Sequence, residues 1–350
     1  MRLATALVLS VLAAVLSGAS AGARTSGNVL ELTYPKASPV PAGSRFIKSS
    51  ATSWNGDVSN LSASASTMYV GTATGIQRIN PTSTSFEPPL VKGTPAADVV
   101  ALDGAIWASD YDHDEVREVD EASGNVTAKV HLGSAPEGVV AYAAPEGIVA
   151  ADGAIWVAEH HGGAVARIDP TTKKVVATVN VTFPGSSGPQ GLAYGAGSLW
   201  VSVPNSAQVV RIDPKTNKVV AKISTGLEMS PCGNIAVGTT SAWVTGCLDN
   251  TWVDRISLAT NKVVRQIDMH ARSIQPVAQG DTAWFLVGRD PGDPSATRQH
   301  AYLVQLNSSD RVLHRYDLGS RFTPGGTAIA FGSLWASSFT TPWVARIPLR

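Results

Sequence analysis

An all-β, seven-bladed β-propeller is the fold this sequence predicts, and three observations carry it. An aromatic residue with apolar neighbours recurs seven times: "MYV" at Tyr69, "IWA" at Trp107, "IWV" at Trp156, "LWV" at Trp200, "AWV" at Trp243, "AWF" at Trp284 and "LWA" at Trp335. A second landmark trails each one, as "RINP" from Arg78, "EVDE" from Glu118, "RIDP" from Arg167 and Arg211, "RISL" from Arg255, "QLNS" from Gln305 and "RIPL" from Arg346. Beyond the N-terminal leader no stretch has a helical period, and the units are short β-branched runs broken by Gly, Asn, Asp and Pro. Four strands in a unit of roughly 40–50 residues is the propeller period.

The elements follow in chain order. Arg2, the apolar run "LATALVLSVLAAVL" and the small residues "ASAGA" form a signal peptide over residues 1–23, cleaved after Ala21 or Ala23. The run is too short for a membrane span, so the mature chain is expected to be secreted or periplasmic. Residues 24–350 then make one domain. "NVLELTYP", residues 28–35, is expected to be the closing strand that completes blade seven, because the last unit stops after its third strand at "WVARIPLR". Residues 37–56, rich in Ser, Pro and Gly, are expected to link that strand to blade one.

Composition sets limits on function. Hydrophobic residues are 44% of the 350 and charged ones 15%, so a large core is available. Lys plus Arg and Asp plus Glu number 27 each, with no basic run, which gives nucleic acid no charged surface to bind. A monomer is expected, with a small molecule, a glycan or a protein as partner. Four Asn-x-Ser/Thr sequons begin at Asn60, Asn125, Asn180 and Asn307. The stretch "GRDPGDPSATRQH" lengthens one loop of blade six, where recognition is often carried.

In such a blade the start of the inner strand and the end of the aromatic strand share one rim of the channel. The inner-strand starts carry Glu146, Gln190, Cys232, Gln275 and Gly325. The aromatic-strand ends carry Thr72, Asp110, Glu159, Val203, Gly246, Val287 and Ser338. Polar groups gather on blades two and three, which makes Asp110, Glu146, Glu159 and Gln190 the candidate ligand-binding set. Glu159, His160 and His161 are the candidate catalytic cluster, suited to a divalent ion or to proton transfer, against the plainer reading of a polar hairpin tip. Neighbouring strand residues point to opposite sides, so the two histidines are not expected to face one ion unless the turn twists them. No cofactor is certain. Were Mg or Ca to bind, Asp110, Glu146 and Glu159 from adjacent blades would be its ligands. "DYDHDE", Asp110 to Glu115, matches only the first half of a calcium loop.

Cys232 and Cys247 flank "GNIAVGTTSAWVTG", which reads as strand, turn and strand with its midpoint between Thr239 and Thr240. Directly opposed strand residues lie about 4.5–5.5 Å apart, within disulfide range, so a bridge pinning blade five is expected.

The unit "G-x-L-W-V … V-x-R-I-D-P-x-T-x-K-V-V-A-x-I" resembles the YVTN-type repeats of bacterial surface and secreted propellers and is similar to those of virginiamycin B (streptogramin B) lyases. That resemblance implies the propeller fold and, for the lyases, a magnesium ion with His and Glu side chains in late blades that open an ester-linked ring by elimination. "WVAE" places Glu159 on the lyases' "W-F-T-E" pattern. The late blades here read "AWFLVGRD" and "LWASSFTT", without His or Glu at the matching places, and His270 belongs to an outer-strand region. No nucleophile elbow, H-E-x-x-H, P-loop or dinucleotide fingerprint is present. The favoured function is extracytoplasmic binding at the channel mouth. The alternative is a metal-assisted lyase.

Overall fold

A computed structural model describes residues 29–50, 61–93, 95–133, 143–182, 188–225, 234–246, 250–272, 274–288, 300–339 and 341–349. These residues form seven sheets in a ring. Each sheet is built on three or four antiparallel strands consecutive in the chain, such as Pro145–Ala151, Ala154–Glu159, Ala164–Asp169 and Lys174–Asn180 in blade three. The first strand of each blade packs beside the first strand of the next, and that of blade seven packs beside that of blade one. The expected signal peptide, Cys232, Cys247 and most of the blade-six insertion lie outside the described residues, and the expected disulfide lies there with them.

The recurring aromatic is the filling between blades. Trp107 packs on Ile155 and Val157 of blade three, Trp156 on Leu199 and Val201 of blade four, and Trp200 on Ala242 and Val244 of blade five. Trp243 meets Phe285, Trp284 meets Leu334, Trp335 meets Met68, and Tyr69 meets Ile106, which closes the circle. An aromatic side chain buries about 150–250 Å² when enclosed, so truncating one to alanine in such a seam costs roughly 3–5 kcal/mol.

The second landmark ties the same seams. Arg167 lies over Trp156 at 5.5 Å and donates across the seam to the side-chain Oδ1 of Asn217 at 3.2 Å. One blade on, Arg211 lies over Trp200 at 5.1 Å and donates to Asn261 at 3.0 Å and to the Leu258 carbonyl at 3.2 Å. Asn217 and Asn261 occupy left-handed turn positions, φ 56° and 53°, which Asn tolerates better than most residues. Blade two departs from the pattern and compensates. Glu118 stands in the arginine's place and pairs with Lys173 of blade three, whose ammonium sits 5.0 Å over Trp107. In blade six, Gln305 replaces the arginine, and His314 stacks on Trp284 instead, 6.2 Å away and 10° from parallel.

This exchange makes a prediction. Glu118→Arg alone sets two cations against each other and should cost about 1–2 kcal/mol. Adding Lys173→Asn rebuilds the pair seen in blades three and four and should recover most of that loss. Urea denaturation of the two single variants and the double variant measures the coupling, and strictly additive losses would contradict the exchange.

An N-terminal strand does complete blade seven, but the strand differs from the expected one. Arg45–Lys48 pairs antiparallel with Trp343–Pro348, and Ile47 is buried against Leu61, Met68 and Trp335. The expected closing segment, 28–35, is not at this edge: Val29–Glu31 adds a parallel fifth strand to Lys262–Asp268 of blade five. Leu30, Leu32 and Tyr34 share a parity that packs them against a cluster including Met269, Ala271 and Ile274. The Tyr34 hydroxyl donates to the Met269 carbonyl at 3.0 Å, and burial raises its pKa. Ser38–Pro39 then runs parallel to Val312–Gly319 of blade six, and Arg315 donates to the Pro35 carbonyl at 3.0 Å. Residues 37–56, expected as a linker, therefore contain two strands of a strap that crosses the outer edges of blades five, six and seven.

Candidate functional site

The rim expected to carry function is built by register. Pro145, at the start of the blade-three inner strand, pairs with Glu159 at the end of the tryptophan strand, which places Glu146 beside the hairpin tip. Backbone contacts then fix Glu146 between its neighbours. Ser109 Oγ of blade two donates to the Glu146 carbonyl at 2.6 Å, and Gly147 N donates to the Gln190 carbonyl of blade four at 3.1 Å. A Cβ at Gly147 would stand 2.4 Å from that oxygen, so glycine is what lets blades three and four approach here.

The side chains converge on the same seam. The Gln190 amide hydrogen-bonds to the Glu146 carboxyl group, and the Gln190 Oε1 atom is buried with no partner. His160 is 7% exposed; its ring bonds to the Pro189 carbonyl, and its Nδ1 is likewise buried and unpartnered. Gly188 N donates to the His160 carbonyl at 2.8 Å and seats the 188–190 segment against the histidine turn. The turn after Glu159 brings the two histidines together, with ring centroids 5.0 Å apart, where strand alternation alone would have separated them. His161 meets Tyr111 of blade two edge-on at 6.0 Å.

Burial sets the electrostatics. Glu146 is pushed up to about 7 by desolvation, partly offset by the Gln190 hydrogen bond. Glu159 is raised first by burial and then by the charge of Asp114. His160 is pushed down to about 4, by burial and then by His161, against the opposing pull of the Pro189 carbonyl. Tyr111 is raised by burial and by the charges of Glu146, Asp112 and Asp114. This side of the mouth is therefore rich in acceptors and negative in field.

Asp110 does not join the cluster. It shares a strand face with Ile106 and Ala108, which pack toward blade one, whereas Glu159 shares a face with Ile155 and Val157, which pack toward blade two. The blade-two sheet stands between the two carboxyl groups. Asp110 is held instead by Arg117 and by His113 at 2.9 Å. Among the described residues no three His, Cys, Asp or Glu side chains are placed to hold a metal ion, so Asp110, Glu146 and Glu159 do not form the expected cation set. The alternating aspartates of "DYDHDE" do separate work. Asp110 is ion-paired, Asp112 is exposed, and Asp114 accepts from Ala144 N at 2.8 Å.

Elsewhere on the rim the polar groups are occupied. Gln275 Oε1 accepts from Asn234 at 2.5 Å, Thr72 donates to the Gly75 carbonyl at 2.8 Å, and Ser338 bonds Thr341 at 2.6 Å. Sequence reasoning singled out Glu146, Gln190, Glu159 and both histidines; Glu146, Gln190 and His160 meet at the seam of blades three and four, whereas Glu159 and His161 face blade two. It missed the roles of Tyr111 and Asp114. The only available signal was their position at the blade-two hairpin tip, level with Glu159.

No family model and no curated protein matches this sequence. Solved structures do share its shape. A streptogramin B lyase structure superposes with a TM-score of 0.68 at 15% identity, over 88% of this chain and 97% of that one. The virginiamycin B lyase from Staphylococcus aureus gives 0.66 at 16% identity, over 88% and 100%. The RRP9 WD40 repeats give 0.68 at 12% identity, over 89% and 99%. At such identities the likeness speaks for architecture alone. The chain is a seven-bladed β-propeller with the blade arrangement also seen in the streptogramin B lyases.

Proposed function

We propose that this chain is an exported binding protein that captures a small polar ligand at the channel mouth, on the side formed by blades three and four. The observation that carries the reading is the pair of buried, unpartnered acceptors, His160 Nδ1 and Gln190 Oε1, beside Glu146. An unsatisfied buried acceptor costs about 1–3 kcal/mol, so a ligand that donates to both atoms would gain affinity by satisfying them. The leader-like N-terminal sequence supports export. A lyase-type reaction is the second reading. It is favoured by Glu146, whose carboxyl group is poised near neutral pH for proton transfer.

A thermal-shift screen of small polar molecules tests the binding reading. A ligand at a hundred times its Kd raises stability by about 2.7 kcal/mol. The expected hits stabilise wild type and lose that effect in Glu146→Gln and Gln190→Ala. Hits whose effect survives both substitutions would place the ligand elsewhere. Release of a cleaved product by wild type, abolished by Glu146→Gln, would favour the lyase reading.

A further inference from the structure

We propose that the ligand of this mouth is a small organic ammonium ion, held by Glu146, Gln190 and His160 and flanked by the rings of Tyr111 and His161. The proposal rests on the reading of the mouth as a ligand site and adds the chemical class of what enters it.

Hydrogen-bond complementarity is the first argument. The groups with unused capacity are acceptors: the Nδ1 lone pair of His160, Oε1 of Gln190 and the carboxylate of Glu146. These three are contiguous, because the His160 ring is tied to the Pro189 carbonyl and the next residue, Gln190, is tied to Glu146. An ammonium group brings three N–H donors and no acceptor, which matches this set. A hydroxyl also donates, but it sets its own lone pairs against the same acceptors.

Charge and shape agree. Glu146, Asp112 and Asp114 all act on Tyr111, Asp114 acts on Glu159 as well, and every one of these charges is negative. The cations of blade two are already engaged: Arg117 with Asp110 and Glu115, and Lys129 with Glu115, on the sheet face toward blade one. An anion would meet these carboxylates unopposed. A bare metal ion is disfavoured because three ligating side chains do not converge among the described residues. Tyr111, 37% exposed, offers a ring whose π face attracts organic cations, and His161 meets it edge-on at 6.0 Å.

The test uses the full chain with three probes: 1,4-diaminobutane, 1,4-butanediol and magnesium chloride, each titrated by calorimetry at pH 8 and pH 5.5. The diamine is expected to bind, and to bind at least tenfold more weakly at pH 5.5, where Glu146 is protonated. At pH 8, Glu146→Gln should weaken it at least tenfold. Tyr111→Leu should weaken it several-fold while Tyr111→Phe does not. Because Tyr111 is exposed, these two variants keep the test valid even if Glu146→Gln perturbs folding. Binding of the diol or of magnesium equal to that of the diamine, and dependent on Glu146, would overturn the ammonium assignment and leave the mouth as a site. No diamine binding would also overturn it, with the broader screen still deciding whether the mouth binds anything.

Discussion

Deleting Val29–Lys48 is expected to unfold the whole ring, whereas deleting only Val29–Lys36 should cost about 3 kcal/mol and leave a folded protein. The long deletion takes the fourth strand of blade seven. It bares the edge of Trp343–Pro348 and strips Ile47 from the cluster that joins blades seven and one. A ring opened at one seam exposes apolar faces on both sides of the break, and the loss spreads to neighbouring blades. The short deletion removes only the parallel strand on blade five and the partly buried Leu30, Leu32 and Tyr34, each worth about 1 kcal/mol by the area it covers. Circular dichroism with urea denaturation separates the outcomes. If the short deletion unfolded the ring as completely as the long one, the segment on blade five would be as essential to closure as Arg45–Lys48.

The second large effect is a pair of opposing pH dependences at the mouth. Glu146 rises from 4.5 in the unfolded chain to about 7 in the native one, so the native state holds its proton more tightly. Its contribution to stability is complete below pH 4.5 and is lost as pH rises through 7. His160 falls from 6.5 to about 4, so its contribution is complete above pH 6.5 and is lost as pH falls through 4. Each shift corresponds to roughly 3 kcal/mol, and over pH 4.5–6.5 the two slopes nearly cancel. Glu146→Gln should unmask the histidine, giving a protein whose stability relative to wild type improves as pH rises. His160→Gln should unmask the glutamate and do the opposite. Urea denaturation at half-unit pH intervals measures both. Curves for the variants that parallel wild type would mean that these groups titrate normally.

The sequence displayed the propeller plainly because its signal is local and repeated. The seven aromatic strands fill seven equivalent seams, so each confirms the others. The positions of Glu146 and Gln190 were legible for the same reason, since inner-strand starts recur at a fixed offset from the tryptophan. The latch was not legible. "RFIK" is four residues long, and its role is fixed by a partner about 300 positions away, while "NVLELTY" has the stronger strand pattern but serves blade five. The fate of Asp110 was hidden too. Its distance from Glu159 depends on which sheet face meets which neighbour, and that follows only from the assembled ring. The pairing of Glu118 was not legible either, because Lys173, which reverses the charge across the seam, belongs to the next blade.

The proposed ligand site between blades three and four rests on the buried Nδ1 of His160 serving as an acceptor. Nitrogen NMR of the histidine rings in the intact protein tests it most directly. His160 is expected to stay neutral from pH 8 to below pH 5 as a single tautomer, protonated on Nε2, with an Nδ1 signal that moves when a mouth ligand is added. A His160 ring that protonates near pH 6.5 like a solvated histidine, with an Nδ1 signal indifferent to every ligand that stabilises the protein, would contradict it.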